Sequence, residues 1–181
     1  ISEAIRTNVI ATAMLANMAE KFSSSCFVQV STDKAVEPSS VMGFTKKIAE
    51  NIIKAKDISN KSNTRFITVR FGNVLGSTGS VVPLFKKQLR AGGPLTVTDK
   101  NATRFFMTID EAVDLVIYAS AENVFNSSIP KGCINVLNMG ASVKIDDLAK
   151  QIIRLSGLIP GKDIKIKYIG LNKGEKLYEK L

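Results

Sequence analysis

At 181 residues, 45% hydrophobic and 23% charged, the chain has the make-up of an ordinary globular protein, long enough for one domain or for a large and a small lobe. Its formal charge of +9 is spread over scattered lysines and arginines with few aromatics among them, which argues against nucleic acid as a partner. The complete lack of histidine removes Ser-His-Asp and Cys-His catalysis and most zinc sites, leaving acid/base chemistry to Asp, Glu, Lys or Tyr. No apolar run approaches the ~20 residues that cross a bilayer, and no secretory signal pattern is present. The two cysteines, Cys26 and Cys133, stand in apolar surroundings and read as buried free thiols of a reducing cytoplasm rather than as metal ligands.

The first 21 residues carry a helical period through Ile5, Val9, Leu15 and Ala19. A strand follows over 26–30 and turns polar at once at Ser31, Thr32, Asp33 and Lys34. Pro38 and two serines then punctuate a turn and lead into a helix over 41–57, with Ile48, Ile52 and Ala55 on one face. Within that helix Lys46 lies four residues after Met42, on the same side.

A second strand over 66–71 opens into a loop over 72–80 that contains three glycines and several hydroxyls, with Asn73 at its start. A helix over 81–91, a short strand over 95–98 and another over 103–107 come next. The helix from about 108 to 121 is predicted to bury Ala112, Leu115, Val116 and Ala119. A strand over 134–137, an amphipathic helix over 145–155 closed by Gly157, and an alternating strand over 164–168 follow. The tail, from Gly170 to Tyr178, ends in the start of a further helix.

Ser31-Thr32-Asp33-Lys34-Ala35-Val36-Glu37-Pro38, Val41-Met42-Gly43-Phe44-Thr45-Lys46, Val69-Arg70-Phe71-Gly72-Asn73-Val74-Leu75-Gly76-Ser77, Thr103-Arg104-Phe105-Phe106-Met107-Thr108 and Gly174-Glu175-Lys176-Leu177-Tyr178 form five ordered motifs that span the chain. Together they resemble the bacterial polysaccharide-biosynthesis dehydratases that act on UDP-N-acetylglucosamine, members of the extended short-chain dehydrogenase/reductase family. That family places a strand-end Ser/Thr before a Tyr-x-x-x-Lys helix; here Met42 stands where the tyrosine is usual. The methionine form resembles the large, membrane-anchored branch, whose catalytic domain faces the cytoplasm. No Gly-x-Gly-x-x-Gly occurs, so the resemblance covers the portion after the phosphate-binding loop.

The resemblance implies an α/β fold: the C-terminal half of a Rossmann-like, doubly wound parallel sheet over 1–75, and a smaller substrate-binding lobe over 76–181 from which a strand and a helix return to the sheet. It implies a 4,6-dehydratase using NAD or NADP on a nucleotide sugar, assembled as a homo-oligomer, with no nucleic acid and no membrane contact by this segment. Lys34 is then the base that removes the C5 proton and Asp33 the acid that protonates the C6 hydroxyl. Lys46 holds the nicotinamide ribose, and Met42 fills the tyrosine's space, so that Thr32, or a water held by Asp33, takes the C4 hydroxyl proton. Val30, Ser31, Val74, Leu75, Gly76, Ser77 and Thr78 are expected on the cofactor side. Asn73 and Arg104 are expected at the diphosphate, Val81 and Thr98 near the uridine, and Glu175 at a ribose hydroxyl. Lys173 replaces the arginine that relatives carry before the tail glycine, a point charge in place of a bidentate fork. Two other readings stand beside this one: a 4-epimerase of the same superfamily, and a non-catalytic nucleotide-sugar-binding remnant.

Overall fold

The computed structural model describes every residue except Asn60, Lys61 and Thr78. It divides into two compact units: 1–71 with 111–138 and 180–181, and 72–110 with 139–179.

The first unit begins with a helical stretch in three parts, α1 (Ser2–Ile5), a π turn (Arg6–Ile10) and α2 (Ala11–Lys21). The π turn interrupts the single helix expected from the sequence; within it the Asn8 amide donates to the Thr45 hydroxyl at 2.9 Å. Three parallel strands follow, β1 (Cys26–Thr32), β2 (Arg65–Phe71) and β7 (Ile134–Val136), in the order β1-β2-β7. They are linked through α3 (Val41–Ser59) and α5 (Ile109–Phe125), as parallel pairing requires.

The register of β1 on β2 sets Phe27 beside Phe66, Gln29 beside Thr68 and Ser31 beside Arg70, so these six share one sheet face. Phe27 and Phe66 pack with Ala16 of α2 and Ile53 of α3, which makes this the face covered by α2 and α3. It is apolar at the amino end of the strands and polar at the carboxyl end.

The buried side of α3 differs from the one that its apolar residues suggest. Thr45, Ala49, Glu50, Ile53 and Asp57 are buried, while Ile48 and Ala55 are exposed and Ile52 is half-buried. Asp57 can sit inside because its carboxylate accepts the Phe66 amide at 3.0 Å and the Gly132 amide at 2.7 Å, tying α3 to β2 and to the approach to β7. α5 runs four residues past its expected end and buries Ala112, Ala119 and Asn123, with Leu115 and Val116 only half-buried. Cys26 and Cys133 are free and half-buried rather than buried.

The second unit packs α4 (Val81–Arg90) and α6 (Ile145–Leu155) around a core of Phe85, Leu95, Val97, Ala149, Ile152, Ile153 and Ile164. The spacing of Ile145, Leu148, Ala149, Ile152 and Ile153 produces the apolar stripe of α6. Gly157, at φ 78°, ends it by letting Leu158 donate back to the Ile153 carbonyl at 3.2 Å.

Around this core lie β3 (Asn73–Val74), β4 (Leu95–Val97), β5 (Thr103–Arg104), β6 (Phe106–Met107), β8 (Val143–Lys144) and β9 (Ile166–Tyr168), paired β3-β6, β4-β9 and β5-β8. The single strand expected over 103–107 is thus two, one antiparallel to β8 and the other parallel to β3. β3 and β8, of two residues each, have no period that a sequence could display. The tail forms a turn and not a helix, because the Glu175 carboxylate accepts both the backbone and side-chain amides of Asn172, at 3.1 and 2.9 Å.

Candidate active site

The end of β1 carries the polar cluster. Thr32 is the last strand residue, and a single 3-10 turn, Asp33–Ala35, follows it. Three groups meet at one oxygen: Asp33 Oδ1 accepts from the Thr32 hydroxyl at 2.9 Å and from the Lys34 amine at 2.9 Å. Thr32 Oγ1 in turn accepts a long bond from the Lys34 backbone amide, 3.4 Å. The Asp33 side chain is 0% exposed, yet its second oxygen, Oδ2, is buried with no hydrogen-bond partner among the described residues. A buried carboxylate oxygen without a donor costs free energy until something supplies one.

α3 brings the second group. Ser40 precedes it and its hydroxyl accepts the Gly43 amide at 3.1 Å, satisfying one donor of the first turn. Gly43 allows a close approach to the acid/base turn: a Cβ there would overlap the Lys34 carbonyl oxygen and reach to 3.2 Å from the Pro38 Cβ. Met42 is 40% exposed. Lys46 stands four residues on, its amine donating to the Val30 carbonyl at 3.2 Å, and burial lowers its pKa below that of an ordinary lysine. The structure therefore gathers Val30, Thr32, Asp33, Lys34, Met42 and Lys46 into the strand end and the helix packed on it. The Ser31 hydroxyl points elsewhere, into the face covered by α2 and α3, where it donates to Glu50 Oε1 at 2.7 Å.

Glu50 is absent from the sequence-derived set. Its fully buried carboxylate accepts Arg70 Nε at 2.9 Å and Nη2 at 2.6 Å, a bidentate fork, in addition to Ser31. Lys47 adds a looser pairing at 3.5 Å. Burial pushes the Glu50 pKa up, but the bonds from Arg70 and Ser31 and the charges of Arg70 and Lys47 outweigh it and leave the group below its ordinary value. The signal in the sequence was an arginine inside the otherwise apolar strand Phe66-Ile67-Thr68-Val69-Arg70-Phe71, which needs a buried anion.

In the second unit, three of the expected substrate-binding side chains bond to one another. Glu175 Oε1 accepts from Thr98 Oγ1 at 2.9 Å and from Arg104 Nη2 at 2.9 Å. Arg104 is buried, and its Nη1 donates to the Thr103 and Leu177 carbonyls at 2.7 and 3.2 Å. Asn73 begins β3, its amide on the Phe105 carbonyl at 2.9 Å. Val74 completes β3, and Leu75 continues its pairing, donating to the Met107 carbonyl at 2.8 Å. Ser77 Oγ closes back on the Val74 carbonyl at 2.9 Å, and Gly76 has a positive φ of 78° with open space where a Cβ would stand. Thr78 lies outside the described residues. Val81 is half-buried at the start of α4, and Lys173 is exposed. Among the described residues no group of His, Cys, Asp or Glu could hold a metal ion, and no helix is long and apolar enough to cross a membrane.

The family model described as polysaccharide biosynthesis protein matches residues 1–181. The capsular polysaccharide biosynthesis protein CapD of Staphylococcus aureus is 53% identical over 99% of the chain, which spans 28% of that relative's length. A UDP-glucose 4-epimerase of Rickettsia bellii is 38% identical over 99% of the chain, which spans 50% of it. Among solved structures, Pen from Bacillus thuringiensis superposes at a TM-score of 0.85 with 37% identity, covering 98% of this chain and 52% of its own. The chain belongs to the polysaccharide biosynthesis protein family.

Proposed function

We propose that the protein to which this chain belongs is a nucleotide-sugar 4,6-dehydratase acting on UDP-N-acetylglucosamine, with the strand end of the first unit as its acid/base centre. The observation that carries this reading is the Asp33 carboxylate: one oxygen shared by a hydroxyl and an amine, the other buried and without a donor among the described residues. An elimination needs an acid and a base a few ångströms apart, and an acid with a free oxygen from which a proton can pass to the leaving hydroxyl.

Solved dTDP-glucose 4,6-dehydratases of the same fold, about a fifth identical in sequence, hold NAD. The residues here fit such a cofactor. Val30 and Met42 offer exposed apolar surface beside the desolvated Lys46 amine, a combination suited to a flat ring and a ribose hydroxyl. Ser31 would contribute through its backbone. When bound, the nicotinamide supplies an acceptor for the hydride of sugar C4 and a donor of that hydride to C6.

The chain's own residues handle the protons. Thr32 takes the C4 hydroxyl proton, passing it toward Asp33 through the bond they already share. Lys34 removes the proton at C5, which the C4 ketone has acidified. Asp33 delivers a proton to the C6 hydroxyl, which leaves as water. Met42 is a non-ionising wall, and the positive charge of Lys46 favours the oxyanion that develops at C4. In the second unit Glu175, Thr98 and Arg104 bind the nucleotide as a linked set rather than as separate contacts.

A 4-epimerase is the second reading, supported by the name of the Rickettsia relative. It needs no C6 acid. The two separate cleanly when the full-length protein is incubated with UDP-N-acetylglucosamine in deuterated water and the product is followed by NMR. The dehydratase forms a 4-keto-6-deoxy sugar with deuterium at C5. Lys34→Ala abolishes the exchange at C5, and Asp33→Asn permits exchange but blocks loss of water. Formation of the C4 epimer with its C6 hydroxyl intact overturns the proposal.

A further inference from the structure

We propose that Glu50 is a positioning residue of this centre, acting through Ser31 and Arg70 to fix the end of β1 against α3 and so hold the Thr32-Asp33-Lys34 turn in place. The inference rests on the strand end being the reacting centre. It draws on a part of the molecule that the proton transfers leave unused.

Three elements converge on the Glu50 carboxylate. Ser31 comes from the residue immediately before Thr32, Arg70 from its register partner on β2, and Glu50 from the helix turn after Lys46. Ser31, Glu50 and Arg70 are all buried. Two buried charges with a bidentate geometry and a third donor make a joint that is stiff, because any slip leaves a charge without its partner in a poor solvent. Its place is as telling as its strength. Moving toward the amino end, the same sheet face is held by the weaker Thr12–Gln29 bond at 3.3 Å and then by the apolar contacts of Phe27 and Phe66. The rigid polar joint lies directly behind the residues whose spacing decides whether protons move.

A purely structural carboxylate is available for comparison. Asp57, on the same helix, clamps the Phe66 and Gly132 amides and has no link to the turn. The test uses the full-length protein with three substitutions. Ser31→Ala cuts the connection to the turn and leaves the Glu50–Arg70 pair whole; Ser31→Thr restores the hydroxyl; Asp57→Asn weakens the other clamp.

Ser31→Ala is expected to lower kcat about tenfold with KM for the nucleotide sugar and Kd for NAD within twofold, as a small misplacement of reacting groups does. It should also speed amide hydrogen exchange over 31–35. Ser31→Thr recovers both, while Asp57→Asn lowers the melting temperature but leaves kcat and the exchange at 31–35 unchanged. The exchange measurement needs no substrate. Faster exchange in Ser31→Ala together with a wild-type protein that releases no water supports the joint and removes the dehydratase reading. An active wild type whose Ser31→Ala variant keeps its kcat, or whose 31–35 exchange is unaltered, overturns the joint.

Discussion

Replacing Gly43 by alanine tests the closest packing at the site. The backbone at Gly43 is helical, so alanine brings no strain in φ and a gain in helix propensity of about 1 kcal/mol. Against this, its Cβ would overlap the Lys34 carbonyl oxygen and stand 3.3 Å from the carbonyl carbon and 3.2 Å from the Pro38 Cβ. The obstructing atoms are backbone and a ring, not the end of a flexible side chain, so relief requires α3 or the 33–35 turn to move. Overpacking of this kind costs about 1–3 kcal/mol. The net destabilisation is therefore roughly 0–2 kcal/mol, a fall in melting temperature of up to ~8 °C for a protein of this size. The effect on turnover should be larger, because the displaced backbone is that of Lys34. Shifts near 1 Å cost on the order of 100-fold. Thermal denaturation followed by circular dichroism, and steady-state kinetics on the full-length protein, measure the two quantities. A Gly43→Ala variant that is as stable as the parent and equally active would falsify the argument, since it would mean that the turn yields at no cost.

Thr32→Val keeps the shape and removes the hydroxyl, so single-turnover reduction of the cofactor should slow far more than in Met42→Leu, which is expected to stay within about tenfold, or ~1.4 kcal/mol; equal rates in the two would assign the C4 proton to another group. Glu50 has a folded pKa below that of an ordinary carboxylate, so its contribution to stability is full above the unfolded pKa and is lost as pH falls through the lower folded value. Denaturation midpoints measured downward from pH 5 should therefore drop, and Glu50→Gln should remove its part of the slope. Phe85 is fully buried in the core of the second unit, and Phe85→Ala should cost ~3–5 kcal/mol in urea denaturation. A smaller loss would show that α4 and α6 close over the gap.

The parts of the fold that can be read from the sequence are those with a single dominant period. α6 is one: Ile145, Leu148, Ala149, Ile152 and Ile153 leave one choice of buried face, and Gly157 marks its end. α3 offers two choices, since Ile48 and Ile52 lie on one side and Ala49 and Ile53 on the other. What decides between them is the pair of acids, Glu50 and Asp57. They go inside because the sheet supplies Arg70, Ser31 and the Phe66 amide, and the turn before β7 the Gly132 amide. Nothing local to α3 announces those partners. The site divides in the same way. Thr32, Asp33 and Lys34 are consecutive, so their meeting at one oxygen is implicit in a strand that ends in a tight turn. Glu175 meets Thr98 and Arg104 from 77 and 71 residues away, and only the folded tail brings it there.

The shared oxygen has a consequence for how the centre is taken apart. Asp33 Oδ1 receives both Thr32 and Lys34, so removing either neighbour changes the hydrogen bonding of the carboxylate that the other still uses. Lys34→Ala would leave Thr32 as the donor to a buried anion, while Thr32→Val would leave Lys34. The costs of the single substitutions contain this rearrangement and cannot be summed. In a Thr32→Val/Lys34→Ala double variant the carboxylate has neither donor, so the loss should fall short of the sum in catalysis, where one broken proton path already stops turnover. In stability it should exceed the sum, because only the double variant leaves the whole carboxylate buried and without a donor. Opposite signs of coupling in rate and in stability are what a single oxygen serving two partners requires, whereas additive losses in both would mean that Thr32 and Lys34 act through separate contacts.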